Sequence, residues 1–292
     1  MKRGSGPEGA VMARTLADHL DSTIQELSLH VAERYQWLLL QTLYTGSSRR
    51  RGLAKLPIEA KSHGLDIGTG FGVMAIEMAA AFDCFVDGID LDAAVLTYAQ
   101  QISAPLAEIQ PRVHWIHTDI HRLPYADHSQ DFITARFVLQ HISHPEELLH
   151  ELFRVVRPGG FLYVEDIDDS LILQYPNPPQ SWQNVMAQFA RLQEIRGGDR
   201  QVGRKLPVWL AMVGFSVQWV HPEWQSSVHP PHEKGPALEW ELQRVEDVLP
   251  ALYGADLLSP PEWEQGRADL LRTQTNWSFE GNASLQILAF KP

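Results

Sequence analysis

Asp66 ends an apolar run and is followed by three glycines at alternate positions, Gly68, Gly70 and Gly72, in the stretch LDIGTGFG (65–72). Bare backbone there lets a ligand come close, because glycine carries no Cβ and accepts left-handed φ. Two ligand classes make that demand. A dinucleotide fingerprint, G-x-G-x-x-G, seats a pyrophosphate on a helix N-terminus. In this chain the third position of that pattern is Val73, and an acid stands two residues before the first glycine, where dinucleotide folds continue an apolar strand. Asp90 ends a second apolar run 22 residues after Gly68 (90 − 68). A carboxylate at that place accepts from both hydroxyls of a ribose and repels a 2′-phosphate. Asp119 follows a third run, in HTDIHRLPY. Singly, each acid is as readily a turn or cap residue. Together, three acids at the carboxyl ends of three successive strands mark the edge where doubly wound sheets bind ligands.

The elements that must place these residues are legible as alternation. Leu16, Leu20, Ile24, Leu27, Val31, Tyr35, Leu38 and Leu39 recur at helical spacing, and 46–51 breaks the pattern. Strands are expected at 62–67, 84–89, 113–118, 131–138 and 161–167. Helices are expected at 72–81, from an Asp92 cap to Ser103, and from Pro145 to the Pro158-Gly159-Gly160 stop. This predicts an α/β fold with a doubly wound, mostly parallel sheet. Beyond Asp169 the rhythm lapses into a loop at 175–180, helices at 181–196 and 206–215, and a strand at 216–221. Two helical stretches follow near 236–253 and 260–275, and a closing strand at 285–290.

The arrangement D-x-G-x-G-x-G at 66–72 resembles the first motif of class I S-adenosylmethionine-dependent methyltransferases. The segment 131–168 resembles the fourth and fifth motifs of small-molecule methyltransferases of the UbiE/type 11 kind, and the likeness runs from about Leu16 to Pro292. It implies a Rossmann-like sheet of seven strands with N-terminal helices and helical lid insertions, and S-adenosyl-L-methionine as cofactor. It implies cofactor contacts from Asp66, Gly68, Thr69, Gly70, Asp90, Leu91, Asp119, Ile120 and Arg136. Asp90 takes the ribose, Leu91 and Ile120 cover the adenine, and Asp119 accepts from its exocyclic amine. The expected organisation is a flexible tail (1–12), a helical cap (13–52), and a core (53–222) with a lid at 170–205. A helical lid (223–284) and the last strand (285–292) complete it.

Methyl transfer from a sulfonium asks mainly for alignment and exclusion of water. A base is needed only for an acceptor with a tightly held proton. His141 is the candidate base, since neutral imidazole is available near pH 7, though a helix-entry role bonding backbone is as natural for it. Gln140, Glu165, Asp166 and Tyr44 are candidate acceptor contacts. The acidic run 165–169 could attract a cationic amine, orient cofactor or acceptor, or cap a turn. Trp224, Trp240, Trp263 and Trp277 suit either an aromatic acceptor cavity or a lid anchored to the sheet.

Composition narrows the partners. A net charge of −12 over 292 residues speaks against a nucleic-acid binder, and Arg49–Arg51 reads as a solvated loop. No apolar run reaches the roughly 18 residues of a membrane span. MKRGSGPEGA lacks an apolar signal core, so a cytoplasmic protein is expected, as monomer or homodimer. Cys84 is the lone cysteine, placed in a buried strand, and the 13 histidines show no tight ligand spacing. No metal is expected. The N/D-P-P-Y motif of amino-methylating enzymes is absent after strand four, and arsenite methylation needs several cysteines. The expectation is methyl transfer to an O, N or C atom of a small molecule, such as a secondary metabolite. A cofactor-binding pseudoenzyme or pericyclase-like protein, and a protein or RNA methyltransferase, stay open as alternatives.

Overall fold

The computed structural model describes residues 7–232 and 236–292. Its sheet has seven strands in the order β3-β2-β1-β4-β5-β7-β6. These are β1 (His63–Ile67), β2 (Phe85–Asp90), β3 (Val113–His117), β4 (Gln130–Arg136), β5 (Val156–Tyr175), β6 (Ser216–His229) and β7 (Ser278–Phe290). The pairs β1–β2, β1–β4 and β2–β3 are parallel. Strand order reverses beside β1 and β4, the position at which doubly wound sheets hold ligands beyond their carboxyl ends.

The chain divides into two compact units. The first comprises Met1–Arg136, His150–Tyr163 and Ala289–Pro292; the second comprises Phe137–Leu149 and Val164–Leu288. In the first unit, α1 (Pro7–Leu27), α2 (Gln36–Tyr44) and α3 (Gly46–Leu53) precede β1. Then come α4 (Val73–Phe82) and α5 (Ala93–Ser103). Leu20, Ile24, Tyr35 and Leu39 join Phe71, Ile76 and Val95 in one buried cluster, so the N-terminal stripe is core. α4 has an almost wholly apolar sequence because it is buried along nearly all of its length. Asp92 caps α5 by accepting from the Ala94 amide. Cys84 is fully buried, and burial pushes its thiol up to about 12.

Five expectations about element bounds need correction. Of the tail expected over 1–12, residues 1–6 lie outside the described residues. From Pro7 the chain is already helical, with Pro in the first turn. The expected break at 46–51 is helix α3, although GSSRRRGL has little intrinsic helicity. Tertiary pairing overrides propensity there. Arg49, expected in a solvated loop, is 3% exposed and forks onto Glu77 of α4 at 2.7 and 3.1 Å. Arg50 bonds Asp21 of α1.

The other three concern strands that outrun their apolar cores. β5 continues from Val164 to Tyr175 into the expected 170–205 lid, and β6 runs on to His229. β7 opens at Ser278 rather than 285. Half-exposed alternation replaces continuous burial in these extensions, which hides them from a search for apolar runs. Pro222 interrupts β6 harmlessly, since that strand ends the sheet order and an edge tolerates a missing donor.

The second unit adds α6 (Pro145–Val155), whose C-terminal half from His150 belongs to the first unit, α7 (Gln180–Ile195) and α8 (Leu206–Val213). α9 (Pro236–Glu246), α10 (Leu249–Gly254) and α11 (Pro260–Thr273) follow. Trp182, Val185, Phe189 and Leu192 of α7 pack with Leu238, Val245, Leu252, Trp263 and Leu270 in a core separate from the sheet's. α11 is fixed at its start by a capping box between Ser259 and Glu262.

Candidate active site

In the first unit, β1 ends in a loop held at every turn. Asp66 is 3% exposed, and its carboxylate accepts from the hydroxyls of Thr69 and Thr134, each at 2.7 Å. Thr134 is its register partner on β4. Burial pushes the Asp66 carboxyl up to about 6, against the pull of those hydroxyls and of Arg136. Gly68, Gly70 and Gly72 have φ of 65, 54 and 73°. At Gly72 a Cβ would also stand 2.3 Å from the Trp115 ring. The backbone there is forced to be bare, both by its hand and by its neighbour. Thr69 donates its amide to the Ile89 carbonyl, which ties the loop to β2.

Asp90, at the end of β2, is half-buried. One carboxylate oxygen accepts from the Gly70 amide at 2.9 Å and the other from the Asp92 amide at 3.0 Å. Each oxygen keeps a further lone pair. Burial raises its pKa, while those amides oppose the shift. Beside it Leu91 is 70% exposed, an apolar side chain standing in water. At the end of β3 Asp119 is exposed, with one oxygen on the His121 amide at 2.9 Å, and Ile120 is buried. The His121 amide and ring hold the Asp119 carboxyl below the usual range. Three acids thus do end three adjacent parallel strands.

Residues 65–164 match a family model described as a methyltransferase domain, type 11. Residues 65–164 thus carry a methyltransferase domain of this kind. The 27-O-demethylrifamycin SV methyltransferase of Amycolatopsis mediterranei (strain S699) is 34% identical over 143 residues, 49% of each chain. The chain therefore spans about half the length of that relative. Methyltransferase str2 of Strobilurus tenacellus is 24% identical over 260 residues, 85% of this chain and 90% of that one. A solved structure of geranyl diphosphate methyltransferase in complex with SAM shares the fold, with a TM-score of 0.54 at 16% identity over 88% of this chain and 91% of that one.

S-adenosylmethionine is the cofactor of this methyltransferase domain. The residues fit it: a bare loop, a carboxylate with spare lone pairs, and an exposed leucine lie together at one sheet edge. Arg136, expected as a cofactor contact, and Tyr44, expected as an acceptor contact, lie in the first unit as well. Arg136 ends β4 and donates to the Thr45 hydroxyl and the Ser48 hydroxyl, both at 3.1 Å, at the start of α3. Tyr44 ends α2, half-buried.

The second unit holds the remaining expected residues. Phe137 follows β4 with a φ of 58°, a strained value for a non-glycine residue, and its amide bonds the Glu165 carbonyl. Glu165 and Asp166 are fully buried. Glu165 accepts from the Ser284 hydroxyl at 2.6 Å, and Asp166 from the amides of Ile167 and Gln140 at 2.9 and 3.2 Å. Burial pushes Asp166 up to about 7. Asp168 pairs with Arg204. The acidic run is therefore built into the protein's own bonding, with no carboxylate left as an open lure for an amine.

His141 is exposed, with Nδ1 3.3 Å from the Gln193 amide nitrogen. Crowding by protein atoms, and then the charge of Arg200, lower its pKa to about 4. Its open surface argues for a smaller drop, and either way it is neutral at pH 7. With the Gln193 amide donating, the ring proton sits on Nε2 and neither nitrogen can take another. Turning that amide over frees Nε2 as a base, and the Gln193 oxygen, buried without a partner as placed, then accepts from Nδ1.

Sequence motifs missed Thr134, Trp115, Gln193 and Arg200, because each acts through register or long-range packing. Arg200 forks onto Asp169 at 2.7 and 2.8 Å and reaches the Gln140 side-chain oxygen at 3.2 Å. Another cluster, Ser227, His229 and Glu280, is no nucleophile relay, since the hydroxyl and the carboxylate share one imidazole nitrogen. Among the described residues there is no group of three or more metal-ligating side chains, and no helix is long and apolar enough to cross a membrane.

Proposed function

We propose that this methyltransferase moves a methyl group to an O, N or C atom of a small molecule. The cofactor supplies that group already activated on a sulfonium. Asp90 accepts from the ribose hydroxyls, Leu91 and Ile120 cover the adenine, and Asp119 takes the exocyclic amine through its open oxygen. Gly68, Thr69 and Gly70 present backbone to the amino-acid end. Asp66 and Arg136 act one step back: the first holds Thr69 and Thr134, the second holds the start of α3. Gln140 and His141 hold the acceptor, with His141 as base where the acceptor is protic. Glu165, Asp166 and Tyr44 shape that region.

The observation that carries the small-molecule reading is the second core, in which α7 and α9–α11 bury aromatic rings around charged groups. Such a body suits enclosure of a compact acceptor, whereas a nucleic acid would ask for an open basic face, at odds with a net charge of −12. Incubation of the protein with methyl-labelled S-adenosylmethionine and a cell extract tests the reading. Label should appear in small molecules and be reduced at least tenfold by His141→Ala if the acceptor is protic. Label confined to protein or RNA, or absent from every fraction, refutes it.

A further inference from the structure

Arg244, on α9, is a buried cation held only by a loose ion pair, with Glu241 at 3.6 Å. Its side chain is 8% exposed, and none of its five N–H groups makes a hydrogen bond among the described residues. Its guanidinium carbon lies 4.6 Å from the centroid of the Trp240 ring and 5.0 Å from that of Phe189. Stacking of this kind satisfies the π faces of a guanidinium and leaves its edge, where all five protons point, unanswered. The Nε atom is sealed from solvent with no acceptor.

The neighbouring charges do not close the account. Glu241 stands one turn earlier, with an oxygen 3.6 Å from Nη2, beyond hydrogen-bond reach. Burial favours the protonated form of Glu241 against the pull of the Arg244 charge, and Glu280 and Asp169 add to the effect of burial. Burial first, and then the like charge of Arg200, lower Arg244 to about 10, so it is still a cation at neutral pH. Arg200 lies 5.5 Å from the same Phe189 ring, already forked onto Asp169 and bonded to Gln140. Two guanidinium groups thus share one aromatic ring, and one of them is satisfied. Glu241, but not Arg244, also lines a small cavity of ≈ 40 Å³ with His229, Glu280 and Leu238.

We propose that the edge of Arg244 is an anion subsite, which takes a carboxylate or phosphate group of the methyl acceptor. A planar fork facing two oxygens is the arrangement in which arginine binds most selectively. The subsite rests on the small-molecule reading above and narrows it to acidic acceptors.

The test is calorimetric titration of benzoate, phenyl phosphate and the neutral isostere benzamide, with and without S-adenosylhomocysteine. At least one anion should bind tenfold or more tighter than benzamide, and the tighter of the two tells carboxylate from phosphate. Arg244→Gln should reduce that anion to the benzamide level while S-adenosylhomocysteine binds within twofold of wild type. Glu241→Gln should tighten the anion severalfold, because a competing acid is removed; a purely structural arginine would not respond that way. Equal or absent binding of all three probes overturns the subsite, as does an Arg244→Gln protein that keeps its anion. Failure to bind S-adenosylhomocysteine, with anion binding intact, would instead count against the methyl-transfer reading.

Discussion

Replacement of Asp90 by alanine separates two jobs that one carboxylate does. In the structure it accepts from the amides of Gly70 and Asp92 at 2.9 and 3.0 Å, so it fastens the glycine loop to the start of α5. Charge-assisted bonds contribute about 1.5–3 kcal/mol each. The site is half-buried, and water can replace part of what is lost. The net cost is about 2–4 kcal/mol, or roughly 4–8 °C in Tm at about 2 °C per kcal/mol for a chain of this size. Loss of two ribose bonds would add a further 3–6 kcal/mol in cofactor binding, on the order of a hundredfold to ten-thousandfold in Kd. A loosened loop alone would also weaken binding, so the decisive measurement is a comparison of ligands. Calorimetry with S-adenosylhomocysteine and its 2′-deoxy analogue should show wild type preferring the ribose by tenfold or more, and Asp90→Ala barely distinguishing them. Equal discrimination by both proteins would show that Asp90 serves the loop only.

Two further outcomes follow from the buried charges. Asp166 titrates at about 7 in the fold, above its ordinary value, so the native state keeps a proton that the unfolded chain has released. Its contribution is therefore most favourable at low pH and is lost as pH rises toward 7, a few kcal/mol in all. Asp66 acts with the same sign toward about 6. Denaturant melts from pH 4 to 8 should show a flatter stability profile for Asp166→Asn than for wild type, and a parallel profile would contradict the assignment. Arg49→Ala should cost about 3–5 kcal/mol in urea unfolding, because it strands the buried Glu77 carboxylate with only the more exposed Arg50 at 3.3 Å. A loss under about 1 kcal/mol would mean that water reaches the pair. The joint replacement of Arg49 and Glu77 by methionine should be far milder, since no lone charge is left inside.

Local chemistry made the placement of the acids and glycines at the sheet edge readable without coordinates. Asp66, Gly68, Gly70, Asp90, Asp92 and Asp119 sit where strands end, and the alternation of strands and helices puts successive strand ends at one edge of a parallel sheet. Positive φ at the glycines, the Asp92 cap and the helical stripe from Leu16 to Leu39 are all short-range consequences of residue type. Function as methyl transfer could be inferred from the same few residues, because the cofactor asks for them in a fixed order along the chain.

Tertiary structure alone decided what those residues bond. That Asp66 is sealed by Thr134 depends on the register of β1 against β4, 68 residues apart in sequence. That GSSRRRGL is helical depends on Glu77 and Asp21 meeting Arg49 and Arg50. The acidic run 165–169 looked available to a substrate, yet Ser284, Arg200, Arg204 and backbone amides take up its carboxylates. Nothing in the local sequence marks Arg244 out, and only the packing of α9 against α7 buries it between Trp240 and Phe189. The physical reason is common to all four. A sequence declares which groups must bury surface or find partners, whereas a buried charge takes its partner from whatever element the packing brings to it.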